Sequence, residues 1–403
     1  MHPAHLHARV LLLGGLLALL IGPATARCQL FDAFIARVSS ASENARTALV
    51  DSFLAAHPTD PLLEGDSAAI FFFRGADSSV ALAGDANVWN PSTRPLNRLS
   101  TTDLWYRQET YEPDARLDYK FVLNGNTWIL DPRNPRTQPG GFGPNSELRM
   151  PRYPDPVETR PDSSIPHGSF FDTTLTGPAP GNTRAVRVYL PAGYAGSRDS
   201  FRVVLLHDGL YYLSLGAAKD ILDYLIAHKR IRPLIGVFVP AITPIRHDEY
   251  AASRMPAFAS FIANDVMAWV DARFKTMKNP AMRAVAGASD GGNISLYLGL
   301  RYPALFGNVC AQSSNVNDSV RNGFANGPRR NLRLWLDLGT YDIPMLLPLV
   351  RNLESILRQK GYDHRYVEVH EGHSWGSWKG HLGRALEFFF PGEALTAPPT
   401  VPH

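Results

Sequence analysis

The chain of 403 residues is poor in cysteine, with Cys28 and Cys310 as its two thiols. Two cysteines cannot build the disulfide framework of a small secreted scaffold, nor a four-thiolate zinc site. Cys310 falls in an apolar run and reads as a small buried hydrophobe. An excess of one charge is also missing: 40 Lys and Arg face 37 Asp and Glu, a formal net charge of +3. No stretch gathers basic residues into a stripe that could track phosphates, which argues against nucleic acid as a partner. Long apolar runs are absent as well. The run over residues 10–21 is about 12 residues, well short of the roughly 20 that a membrane-spanning helix needs. No internal repeat or low-complexity tract is evident.

What is present fits a globular protein with a sizeable core: 45% hydrophobic and 19% charged residues. The length exceeds the roughly 250 to 300 residues that one core organises, so one domain with attachments is expected. The first 26 residues combine Arg9, the apolar run and an Ala24-Thr25-Ala26 ending, the three parts of a secretory signal peptide. Cleavage is expected after Ala26, giving a secreted or periplasmic protein without stable membrane insertion. Lipidation of Cys28 is disfavoured, because Arg27 stands where that pattern wants a small residue.

Apolar residues at helical spacing over 31–56 predict one or two amphipathic helices in an N-terminal segment, 27–64. Over 65–150 the pattern changes to short β-like runs, 68–73, 80–83, 104–108 and 117–123, separated by Gly, Asn, Asp and Pro. This predicts a small β-sandwich. The stretch 151–166 carries five prolines and reads as a stiff extended linker. From 167 to 393 β-like runs alternate with helical stretches, the signature of a mostly parallel sheet covered on both faces, and 394–403 reads as a tail. The expected fold class is therefore α/β, preceded by a small all-β domain.

The sharpest local signal is Gly287-Ala288-Ser289-Asp290-Gly291-Gly292. G-x-S-x-G alone arises by chance in roughly one chain in seven of this length, so its context decides. Here it follows a predicted strand and opens a predicted helix, as a nucleophilic serine on a sharp turn requires. A serine hydroxyl is a poor nucleophile and needs a base, itself held by an acid, in the chain order Ser, Asp, His for this fold. Asp342 lies just past the strand run 332–338 and its Gly339 turn; His373 lies past the run 366–369, beside Gly372. Asp337 competes for the acid role but lies inside a strand. His370 and Glu371 with His373 suggest a metal, yet H-E-x-H at a strand exit lacks the helical geometry of a zinc protease. His207, His247 and His364 read as surface or loop residues. The oxyanion of acyl transfer needs backbone N–H donors, for which Asp290 and Leu210, in the turn His207-Asp208-Gly209-Leu210, are the candidates.

These motifs together resemble the esterase family that contains enterochelin esterases, feruloyl esterases, esterase D and the mycolyl transferases. The likeness rests on Arg187-Val188-Tyr189-Leu190-Pro191, the His207–Leu210 turn, Arg246 with Glu249, the Gly287–Gly292 turn, Gly339-Thr340-Tyr341-Asp342, and Gly372-His373-Ser374-Trp375 with Trp378. It implies a triad of Ser289, Asp342 and His373, an oxyanion donor at Leu210, and an acyl-enzyme mechanism. No metal or organic cofactor is needed. Asp290 departs from the bulkier or apolar residue often found there. Trp375, Trp378 and Arg246 are candidate substrate contacts. The β segment is similar to the Ig-like module at the front of glycogen-branching enzymes and of some of these esterases, through Gly84-Asp85-Ala86-Asn87-Val88-Trp89, Tyr119-Lys120-Phe121, Asn124-Gly125 and Asp131-Pro132. Trp89 and Trp128 match positions that stack on sugars in glycan-binding members, and the module could instead wall the active site. The expected partner is a small-molecule or polysaccharide-linked ester. Feruloyl or acetyl esters on carbohydrate come first, then a siderophore trilactone; a non-catalytic glycan-binding protein is the alternative of another class.

Overall fold

A computed structural model of the protein describes residues 29–178 and 182–396. The expected signal segment and Cys28 lie outside the described residues. Two antiparallel sheets form the N-terminal β-sandwich. One runs β1 (Leu62–Glu64), β2 (Ala68–Arg74), β5 (Leu104–Thr110), β4 (Asn97–Arg98). The other is built on β6 (Arg116–Leu123), which pairs β3 (Val80–Gly84), β7 (Thr127–Ile129) and β9 (Asn145–Arg149); β9 in turn pairs β8 (Thr137–Gln138).

β2 reads AAIFFFR, an unbroken apolar run where a half-exposed strand would alternate. The structure supplies the reason. Ala69, Phe71 and Phe73 face the opposite sheet, meeting Leu82, Leu117 and Phe121. Ala68, Ile70 and Phe72 point the other way, into a second cluster with Phe31, Phe34, Val38, Val50 and Leu54. Those five residues come from the helices Gln29–Ser40 and Glu43–Ala56, the amphipathic pair predicted from spacing. The neighbour that those helices need is thus the outer face of this sheet.

The following strands are β10 (Ser169–Thr176), β11 (Thr183–Leu190), β12 (Arg202–His207), β13 (Leu234–Val239), β14 (Arg283–Ala288), β15 (Asn308–Gln312), β16 (Arg333–Tyr341) and β17 (Asp363–Gly372). They lie in the order β10-β11-β13-β12-β14-β15-β16-β17, antiparallel through β13 and parallel from there on. β13, β14 and β15 are buried at every position, because helices cover both faces. Alternate residues serve opposite cores: Val203, Leu205 and Val285 pack to one side, Val204, Leu206 and Ala284 to the other. Cys310 is free and buried in the second core, as its apolar setting implied. The order reverses at β12, whose neighbours are β13 and β14, and open α/β sheets place their sites at such a point, beyond the carboxyl ends of the strands.

The sandwich is not a separate bead on a linker. β6 pairs β17 in parallel at Arg116 and Glu371, so the second sheet of the sandwich continues the parallel one in a single 13-stranded sheet. The proline-rich stretch, expected to be extended, makes a 3-10 turn at Val157–Thr159. It buries Glu158 beside Arg230, 3.9 Å away, against the helix Ala218–Ala227. Among the described residues no helix is long and apolar enough to cross a membrane.

Candidate active site

Ser289 follows the last residue of β14 and precedes the helix Asp290–Arg301, with φ 59 and ψ −125. A non-glycine residue at positive φ costs about 1–3 kcal/mol and persists only where its surroundings impose it. Here the glycines make the turn possible: a Cβ on Gly287 would stand 2.3 Å from the Gly291 carbonyl oxygen, and one on Gly292 2.9 Å from the Ser314 side chain. Ser289 N–H donates to the Gln312 carbonyl (2.9 Å), fixing the turn to β15. Among the described residues the Ser289 hydroxyl makes no hydrogen bond, and it opens on a cavity of about 870 Å³.

His373 stands just past β17 and lines the same cavity. Its Nδ1 meets Asp342 Oδ1 at 2.7 Å, which leaves Nε2 for the cavity side. The Asp342 side chain is fully buried, and Oδ1 also accepts from the Ile343 N–H (2.7 Å). The His373 ring lies edge-on to Trp378, with centroids 4.9 Å apart, so packing as well as the carboxylate holds the imidazole. Asp337, the competitor, is turned elsewhere: its Oδ2 accepts from Trp335 Nε1 (2.9 Å) and Gln312 Nε2 (3.1 Å), and burial pushes its pKa up to about 6.

Leu210 and Asp290 each occupy the first turn of a helix, where backbone N–H groups lack an intrahelical partner. Neither N–H takes part in another hydrogen bond among the described residues, and their neighbours Tyr211 and Ser289 line the cavity. The tight turn before Leu210 again depends on glycine, since a Cβ on Gly209 would stand 2.4 Å from the Phe238 backbone. Arg246 lines the cavity, but its guanidinium is engaged: Nε and Nη2 donate to the two Asp208 oxygens (2.9 and 2.8 Å), and Nη1 lies 3.5 Å from Asp290. Asp290 also binds His247 Nδ1 (2.9 Å) and Asn315 Nδ2 (2.7 Å). This departure from the family pattern therefore clamps the helix Arg246–Ala251 to the serine turn, and Arg246 holds the site's frame with its donors.

Trp375 and Trp378 both line the cavity, packed edge to face with centroids 5.0 Å apart. The opposite wall comes from the sandwich: Trp89, Trp128, Lys120 and the tip of the loop Gly140-Gly141-Phe142-Gly143. Trp89 and Trp128 stack on each other, 6.4 Å between centroids at 27°, so the two expected sugar platforms form one aromatic surface in the cavity that Ser289 and His373 also line. The Lys120 side chain has no hydrogen bond or ion pair among the described residues, and Phe142 is fully exposed at the tip of its loop. Lys120 entered the sequence reading only as part of the Ig-like likeness, and Phe142 not at all. The strand alternation could have flagged Lys120, because Leu117, Tyr119 and Phe121 face the sandwich core and leave Asp118 and Lys120 on the other face.

The remaining histidines correct the sequence reading in part. His207 is no surface residue: it is completely buried at the end of β12, neither ring nitrogen has a hydrogen-bond partner among the described residues, and burial lowers its pKa to about 3. His364 is mostly buried, with Nδ1 3.0 Å from the Tyr362 carbonyl oxygen, whereas His247 is exposed. The H-E-x-H residues part company, His370 to Asp114 (2.7 Å), Glu371 to His381 (2.8 Å) and His373 to Asp342. Among the described residues no cluster of three or more His, Cys, Asp or Glu could hold a metal.

The sequence pattern of the family described as Putative esterase matches residues 177–389. The chain is 24% identical over 336 residues to an iron(III) enterobactin esterase of Escherichia coli, covering 74% of this chain and 82% of that protein. It is 28% identical over 153 residues to an endo-1,4-beta-xylanase/feruloyl esterase of Xylanibacter ruminicola, 36% of this chain and 21% of the other. Among solved structures, the enterobactin esterase of Shigella flexneri superposes with a TM-score of 0.71 at 21% identity, over 84% of this chain and 97% of that one. The matched stretch takes in Ser289, Asp342 and His373 and makes up just over half of the sequence, and so the chain belongs to this family of carboxylic ester hydrolases.

Proposed function

We propose that the protein is a serine carboxylesterase for a bulky aromatic ester, with Ser289 as nucleophile, His373 as base and Asp342 as the acid that orients it. His373 Nε2 takes the hydroxyl proton as Ser289 Oγ attacks the ester carbonyl. The oxyanion is met by the backbone N–H groups of Leu210 and Asp290. The tetrahedral adduct collapses to an acyl-Ser289, and the alcohol leaves with the proton from His373. Water, deprotonated by the same imidazole, then attacks the acyl carbonyl and the carboxylic acid departs, regenerating Ser289. The buried Asp342 holds the tautomer with Nδ1–H and stabilises the imidazolium.

The observation that carries this reading is that the Asp342-paired imidazole and the Ser289 turn open on one cavity whose far wall is aromatic. An acetyl group would leave most of about 870 Å³ unfilled, so a hydroxycinnamoyl ester on a carbohydrate is the better occupant. The feruloyl-esterase relative supports it, and Trp89 with Trp128 offers the sugar or the ring a stacking face. A second reading, an aryl trilactone siderophore, is favoured by Lys120, a cation on that wall with no ion pair among the described residues, and by the enterobactin-esterase likeness over most of the chain. The first 26 residues support export for either.

The test is hydrolysis of p-nitrophenyl acetate, methyl ferulate, acetylated xylan and a ferric trilactone by the wild type and by Ser289→Ala. Turnover should drop by roughly 10⁴-fold or more in the variant, with methyl ferulate the best of the four substrates. Equal rates for the two proteins would overturn the serine mechanism, and no turnover of any ester by either would leave a glycan-binding protein.

A further inference from the structure

The turn that carries His373 is gripped on both sides by the sandwich. Gly372 lies on Asp85, so that a Cβ there would stand 2.0 Å from the Asp85 carboxyl carbon. Ser374 Oγ accepts from Arg116 Nη1 at 2.9 Å, a contact between residues 258 positions apart. A Cβ on Gly376 would stand 2.0 Å from Arg116 Nη2. Arg116 is completely buried and rigidly set: Nε donates to Glu147 Oε1 and Nη2 to Asp118 Oδ1, both at 2.5 Å. Asp85 is tied to the same frame, accepting from the Asp118 N–H (2.8 Å) and from Trp89 Nε1 (3.2 Å). Within five residues, then, the end of β17 and the start of the helix Trp375–Phe389 give up two side chains to make room for sandwich side chains, and the turn between them lends a hydroxyl to a third contact.

We propose that Arg116 is a positioning residue for the base: its guanidinium, locked by Asp118 and Glu147, fixes the turn Gly372-His373-Ser374 so that His373 Nε2 faces Ser289. The sandwich is thereby part of the catalytic apparatus as well as a substrate wall. The proposal rests on the assignment of Ser289 and His373. A planar guanidinium with three engaged nitrogens sets a direction that a lysine ammonium cannot, because one point charge cannot span both carboxylates and Ser374. Misplacing a reacting group by about 1 Å can cost on the order of 100-fold in rate, so a contact one residue from the base has leverage.

The experiment compares wild type, Arg116→Lys, Ser374→Ala, Ser374→Thr and the Arg116→Lys/Ser374→Ala double variant on p-nitrophenyl acetate. It records kcat, KM, the pH profile of kcat/KM and thermal melting. Arg116→Lys keeps the buried positive charge. It should lower kcat by about 10- to 100-fold, leave KM within about twofold and displace the acid limb that reports the base. Ser374→Ala should lose about tenfold in kcat, Ser374→Thr should restore it, and the double variant should lose no more than the worse single one.

Arg116→Lys that melts cooperatively with wild-type kcat and pH profile overturns the proposal, as does a full multiplication of the two single losses. Ser374 Oγ also accepts from the Ser377 N–H (3.4 Å) at the start of the helix Trp375–Phe389. A lost helix cap lowers the melting temperature and leaves the acid limb in place. If Arg116→Lys does not fold, Ser374→Ala with an unmoved acid limb is the overturning result. Ser289→Ala and His373→Ala in the same assay separate the two claims: activity in those variants sinks the esterase assignment, whereas their inactivity beside a wild-type-like Arg116→Lys sinks only the positioning role.

Discussion

The two walls of the cavity are made in different ways. The wall bearing Ser289 and His373 is built from strand-to-helix turns at the ends of β12, β14 and β17, each set by glycines close by in sequence. The wall facing it, with Trp89, Lys120, Trp128 and Phe142, belongs to the sandwich and reaches the site because β6 continues the parallel sheet. Bond-making groups need strained, local geometry, which leaves a motif. A recognition wall needs only shape and surface, which any exposed strand face can supply. The chemistry of the first wall should therefore be indifferent to the second, apart from the grip on the His373 turn.

Breaking the first wall should have the largest effect. Asp342→Asn, which disturbs the tautomer held at Nδ1, should cost roughly 10⁴-fold in kcat, whereas Asp337→Asn should lower melting temperature with kcat within about tenfold. Comparable losses in kcat from both would show that the acid had been misassigned. Next comes the second wall. Trp128→Ala removes on the order of 1 kcal/mol of ring contact, raising KM for methyl ferulate roughly five- to tenfold while p-nitrophenyl acetate kinetics stay as they were. A parallel loss on both substrates would mean that the walls are not separable. Lys120→Gln is milder. Its KM for an aryl ester bearing a carboxylate should rise roughly threefold at low ionic strength, and the difference should fade in about 1 M salt.

The smallest effect concerns the seam between the walls. Burial, and then the Asp118 charge, raise the Asp85 pKa to about 8. The folded state thus holds this proton more tightly than the unfolded chain does. Its contribution to stability is full below the ordinary carboxylate range and is lost as pH rises through about 8. Asp60, raised to about 7, and Asp337, raised to about 6, add slopes of the same sign. Melting temperature should accordingly fall between pH 5 and 8.5, and Asp85→Asn should flatten that fall by a few degrees. Identical slopes in the two proteins would remove Asp85 from the account.

What could be read from the sequence follows the same division. The helix pair, the strands of the sandwich and the alternating strands and helices after it leave periodic apolar patterns, and they appear where the periodicity puts them. The pairing of Asp342 with His373, and the approach of His373 and Ser289 to one cavity, were legible because the turn glycines and the chain order of the fold constrain these positions locally. His207 was misread, since a histidine after an apolar run looks the same whether the strand end is buried or exposed. Arg116 left no trace. An arginine opening a strand carries no pattern, and its meaning arises only when β6 meets β17 and brings Ser374 to its guanidinium. The proline-rich stretch looked extended for a related reason: composition reports backbone stiffness, not the helix against which Glu158 is laid down.

The two-sided burial of β2 has a practical consequence for anyone shortening this protein. Ile70 and Phe72 are covered on that face chiefly by Phe31, Phe34, Val38, Val50 and Leu54 of the helices Gln29–Ser40 and Glu43–Ala56. A chain begun at Leu62 would keep every catalytic side chain and still present a sticky β-surface to its neighbours. It should self-associate in the test tube before its esterase activity could be judged.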